Sequence, residues 1–176
     1  LEPRADGFRN WVGHDEPLRA ELIASGAIMR TRSDTEVLLE AYRRWGPACL
    51  DRLDGMFAFA IWDQARQELF IARDRLGEKP LYYCQHPTGT FLFASEVRAL
   101  LASGRIQRRL DPAAVASFLC NGFIISPGTI VEGVQSLLPG HWMRVGLDGE
   151  IREIVRYWTI PNRPQGMPRP AEAVEE

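Results

Sequence analysis

Apolar positions along the chain switch between helical and extended periods, and that switching predicts the elements. Residues 16–25, EPLRAELIAS, read as a short helix closed by Gly26. In TRSDTEVLLEAYRRWG, residues 31–46, Val37, Leu38, Ala41, Tyr42 and Trp45 recur at helical spacing until Gly46-Pro47 stops the run. Ser33 suits the N-cap, and Glu36 three residues later completes a capping-box pattern. The run GMFAFAIWD, residues 55–63, changes period: Met56, Ala58, Ala60 and Trp62 share one face, and Phe57, Phe59 and Ile61 the other. Because both faces are apolar, this strand needs a packing layer on each side.

ELFIARD follows across a polar link and predicts a hairpin with that strand. LYYCQ and TFLFA flank the turn HPTG, so a four-stranded meander is the simplest arrangement. Ser95 is placed to cap the helix EVRALLAS, and Asp111 to cap one that begins at Pro112 and ends at Asn121-Gly122. The stretch to Trp158 is strand-like, with Asp148-Gly149 as a tight hairpin signal. Pro161, Pro164, Pro168 and Pro170 then read as linker. The expected architecture is α+β, with helices before and after a mainly antiparallel sheet and a stacked sandwich meeting the two-sided strand.

Composition narrows the function classes. Among 176 residues, 21 Lys plus Arg against 23 Asp plus Glu leave a net charge of -2, which gives no electrostatic reason to propose nucleic acid or an anionic membrane. No apolar run reaches the length of a membrane span, and LEPRADGFRN lacks the apolar segment of a signal peptide. Cys49, Cys84 and Cys120 are odd in number and far apart, so they read as reduced, buried, structural thiols of a cytoplasmic protein. His14, His86 and His141 are equally scattered, His86 and His141 beside Pro or Gly, so no metal site is expected.

SDTEVLLEAYRRWG, LDGMFAFAIWD, LFIARDRLGEKPLYY, FLFASEVRALL and LLPGHW, in this order, resemble the N-terminal class II amidotransferase domain of glutamine-dependent asparagine synthetases. The resemblance runs from about Leu18 to Trp158. It implies an N-terminal-nucleophile hydrolase-like α/β/β/α sandwich of antiparallel sheets, here lacking its first strands. Residues 1–158 would be a partial amidotransferase domain, and 159–176 a linker toward a synthetase domain outside the chain. Such a domain hydrolyses glutamine to glutamate and ammonia. An N-terminal cysteine attacks, with its own α-amino group as base, a group that titrates near neutrality. ATP and Mg would act in the synthetase domain, which amidates aspartate to asparagine, and the chain itself is expected to hold no cofactor. Glutamine and that synthetase domain are the implied partners; nucleic acid and membrane are not, and the full-length enzyme could form a homodimer.

Carried over position by position, the resemblance places Asp34 on the family's acidic residue for the glutamine α-ammonium. The simpler reading makes Asp34 a first-turn anion favoured by the helix dipole, worth ~0.3–1 kcal/mol. The remaining machinery is unmatched. Residue 1 is Leu, so no catalytic residue is assigned, and Cys49 and Cys84 have no free α-amine. Asn10 is followed by Trp11 where the family needs Gly for a close backbone donor. The loop RDRLGEKP, residues 73–80, is either a solvated turn or part of the face toward the synthetase domain, with Arg73 or Lys79 pairing across it. A non-catalytic amidotransferase-like module, as in β-lactam synthetases or lasso-peptide cyclases, is the alternative function. A chain without the first strands of a sandwich is also expected to be marginal or sticky alone.

Overall fold

The strand β2 (Met56–Asp63) sets the layering of this computed structural model, which describes residues 9–12, 16–86 and 88–160. Phe57, Phe59 and Ile61 pack with Leu22, Val37, Leu38 and Ala41 from the helices α1 (Glu16–Ala24) and α2 (Asp34–Trp45). Ala58 and Ala60 face the other way, onto Leu81, Tyr83 and Leu137. Cys84, Leu100, Ile106, Val131 and Val134 form a third core beyond that second sheet. The order of layers is therefore helix, sheet, sheet, helix, as the two-sided strand requires.

The first sheet has the order β1-β2-β3-β7-β8, with β1 Arg9–Val12, β3 Glu68–Arg73, β7 His141–Gly146 and β8 Ile151–Arg156. The second is β5-β4-β6, with β4 Tyr82–Gln85, β5 Phe91–Ala94 and β6 Gln135–Ser136. Both predicted early hairpins exist, and so does the one at Asp148-Gly149. The four-stranded meander does not: β3 pairs on its far edge with β7, and the β4-β5 hairpin belongs to the other sheet.

The loop from 73 to 80 makes that change of layer, and it is no solvated turn. Asp74 is 1% exposed, and its carboxylate accepts from the N–H groups of Phe57 (3.3 Å), Leu76 (3.1 Å), Glu78 (3.0 Å) and Lys79 (2.9 Å). Arg73 turns inward, donating to the carbonyls of Lys79 (2.7 Å), Gly77 (2.7 Å) and Leu137 (2.6 Å) and to Ser136 Oγ (3.0 Å). Burial pulls its guanidinium below the ordinary value. Arg73 thus clamps the loop to the second sheet and is not the exposed cation expected to pair across a domain face.

The helix α3 (Val97–Ala102) starts one residue later than expected: Glu96 holds the cap position without a side-chain bond, and Ser95 does not cap. The helix α4 (Pro112–Asn121) follows its pattern. Asp111 Oδ1 accepts from the N–H groups of Ala113 (2.8 Å) and Ala114 (3.1 Å), and Gly122 closes the helix at φ 77°. No helix among the described residues is long and apolar enough to cross a membrane. His14 and residues 161–176 of the expected linker lie outside the described residues.

Candidate functional site

The entrance of α2 is built by two straps that close on the loop before it. From α1, Arg19 donates to the carbonyls of Thr31 (2.8 Å) and Ser33 (2.9 Å). From α2, Glu36 accepts from the N–H groups of Arg30 (2.6 Å) and Thr31 (2.7 Å) and from the Thr31 hydroxyl (2.7 Å). The Arg30 bond first, then the Thr31 hydroxyl, hold the Glu36 carboxyl below its usual range. Ser33 is the N-cap, its Oγ accepting from Thr35 N–H at 3.2 Å. The reciprocal half of the expected capping box is absent: Ser33 N–H donates to Thr31 Oγ1 at 3.1 Å, because Glu36 is occupied by the loop.

Asp34 opens the helix, half-buried, and is not the cap. Its Oδ1 lies 3.3 Å from both Ser33 Oγ and Thr35 Oγ1, so two hydroxyls orient the carboxylate. A cavity of about 640 Å³ opens beside the same turn, lined by Thr31, Ser33, Thr35, Glu36 and Leu39. Asp34 is not part of that lining; the cavity follows the neighbouring face of α2.

The far end of α2 is anchored to the first sheet. Tyr42, in the last turn of α2, reaches Asp63 at the end of β2 (3.3 Å). That contact sets the last turn of α2 beside the end of β2. Phe57, near the start of β2, is bonded to Asp74, so the 73–80 loop closes the end where β2 begins. Sequence placed Asp34 and this loop separately; Arg19, whose partners are backbone carbonyls, left no sequence signal.

The cysteines divide. Cys49 is 0% exposed, and burial pushes its thiol up to about 12. Cys84 is buried within the third core, and burial raises its thiol as well. Both are unsuited to attack, since the thiolate is the nucleophile. Cys120 corrects the expectation of a buried thiol: it is exposed on α4. His86 and His141 sit as expected, one in the β4-β5 turn against Thr88 Oγ1 (2.8 Å) and one starting β7 against the Pro139 carbonyl (2.7 Å). Among the described residues no three His, Cys, Asp or Glu gather in a manner that would hold a metal.

A family profile described as a glutamine amidotransferase domain matches residues 14–158. Asparagine synthetase [glutamine-hydrolyzing] 3 of Bacillus subtilis (strain 168) is 43% identical over 146 residues, 82% of this chain and 23% of that protein. Asparagine synthetase [glutamine-hydrolyzing] 1 of the same organism is 37% identical over 134 residues, 76% of this chain and 21% of that protein. The chain thus spans less than a quarter of the length of these relatives. The structure of glutamine phosphoribosylpyrophosphate (PRPP) amidotransferase from B. subtilis, complexed with ADP and GMP, overlays at a TM-score of 0.62 with 21% identity. The overlay covers 93% of this chain and 32% of that one, so the expected amidotransferase sandwich of N-terminal-nucleophile type is present. Both curated relatives are named for glutamine hydrolysis, which favours the first of the two functional readings over the non-catalytic module.

Proposed function

Since this chain belongs to the glutamine amidotransferase domain family, we propose that it forms the ammonia-releasing part of a glutamine-hydrolysing asparagine synthetase. The observation that carries the reading is the 43% identity over 146 residues to a synthetase of that activity. In this reading Asp34 grips the α-ammonium of glutamine. It stands at a braced helix entrance, with two hydroxyls at 3.3 Å holding one carboxylate oxygen. A charge-assisted bond there selects an amino acid over a simple amide.

The attacking thiol is not assigned to Cys49, Cys84 or Cys120. The first two are buried with raised pKa, and all three are internal residues without the free α-amine the chemistry uses as base. ATP and Mg²⁺ would be held by a synthetase portion beyond these residues, in a cytoplasmic setting that suits three free thiols.

The test is a chimera in which residues 14–158 replace the matched stretch of the B. subtilis synthetase 3. Glutamine should then drive ATP-dependent asparagine formation, while the 176-residue chain alone releases no glutamate above background. A chimera that folds and uses ammonia but never glutamine would refute the proposal. So would glutaminase activity of the chain alone that disappears in Cys49→Ala.

A further inference from the structure

The helix α4 carries its side chains the wrong way round for a surface helix. Of its ten residues only Ala114 is buried, while Phe118 is 54% and Leu119 78% exposed. The segment after it does the same, with Phe123 at 62% and Ile125 at 60%. Ser117 ties the two together: its hydroxyl donates to the Phe123 carbonyl (3.1 Å) and accepts from Ile125 N–H (3.1 Å). Leu110 and Ile130 extend the surface from the other side, where Asp111 N–H meets the Ile130 carbonyl at 3.0 Å. These large apolar side chains, exposed within one short stretch of chain, are of the kind that marks an interaction surface.

The twenty residues from Pro112 to Val131 hold no charged side chain. Transient interfaces keep about the polarity of ordinary surface, whereas permanent ones resemble a domain core cut in half. A ten-residue helix is also marginal without tertiary packing on its apolar side. The face is therefore built for a permanent cover.

The path of the chain indicates which cover. The family match ends at residue 158, and Trp158 N–H is bonded to the Gly140 carbonyl (3.3 Å). Gly140 N–H is in turn bonded to the Asp74 carbonyl (2.8 Å), beside Arg73. Arg73 holds Ser136, whose N–H donates to the Pro127 carbonyl (2.8 Å) within the uncharged segment. A continuous bonded path thus joins the end of the matched domain to the uncharged segment. More than three quarters of the relative's length lies outside the matched stretch.

From this we infer that the uncharged face of α4 and residues 122–131 is where the synthetase domain of a longer polypeptide docks, an inference that rests on the function proposed above. Phe118, Leu119, Phe123 and Ile125 are its apolar anchors.

Cys120 follows Leu119 on α4 and is exposed, so its labelling reports whether that side of the helix is covered. The rate of maleimide labelling of the Cys120 peptide, read by mass spectrometry, is compared between the 176-residue chain and the chimera. The expected result is labelling at least about tenfold slower in the chimera, with Leu119→Asp or Phe123→Asp restoring the fast rate there. Equal rates, in a chimera that still makes asparagine from ammonia, would overturn the docking face. Slow labelling of the isolated chain that depends on its own concentration would assign the face to a second copy instead. Glutamine use by the chimera is scored separately, so failure of the functional reading and failure of the docking face are told apart.

Discussion

Ser33, Asp34 and Glu36 stand within four positions and do three different jobs. Ser33 caps, Glu36 braces the loop from residue 30 to 31, and Asp34 is oriented by hydroxyls. The cap was legible because its geometry is local. The target of Glu36 was not, because it depends on how the preceding loop folds back. Burial acts on single residues too. Cys49 rises from 9.0 to about 12 and Tyr42 from 10.0 to about 12, in each case chiefly through desolvation of the charged form. These groups stay protonated in the folded state while the unfolded chain ionises. Their contribution is complete below pH 9 and is lost as pH climbs toward 12. Urea midpoints should accordingly fall between pH 9 and 11, and Tyr42→Phe should blunt the fall above pH 10. Midpoints that stay level through that window would contradict the assignment.

At the scale of elements, periodicity placed the long helices and the two-sided strand correctly, and β2 divides its odd and even residues between two cores as its pattern demands. Which strands pair was hidden. The partner of β3 is β7, nearly seventy residues later, and nothing in either strand announces it. The decisive element is the 73–80 loop, whose glycine is readable as a turn residue but whose buried Asp74 and inward-turned, half-buried Arg73 are not. Gly77 has φ +73°, and a Cβ there would lie 2.7 Å from Pro139 Cγ and 3.1 Å from Arg73 Nη2. Gly104 has φ +70° with nothing within 4 Å. Gly104→Ala should therefore cost only the backbone strain of about 1–2 kcal/mol. Gly77→Ala should cost more, since the Arg73 clamp must also shift. Denaturant unfolding of both variants tests this, and equal losses would mean that the loop yields freely.

For the whole molecule, three cores in four layers set the helices α1 and α2 on the outer side of the first sheet, while the 73–80 loop ties that sheet to the second. The class of the fold was open to sequence reading because a strand apolar on both faces demands two neighbours. The reactive centre was only partly open: the proposed reading gives Asp34 one role in it and leaves the attacking group unassigned. A grip on the α-ammonium should matter to glutamine and not to free ammonia, which has no such group. The most direct measurement is therefore the pair of rates, glutamine-driven and ammonia-driven, for Asp34→Asn in the chimera. Losing a bond to a charged group costs about 1.5–3 kcal/mol, or roughly 10- to 150-fold. The glutamine KM should rise by that factor while ammonia-driven asparagine formation is nearly unchanged; equal damage to both rates, or an unaltered glutamine KM, would contradict the account.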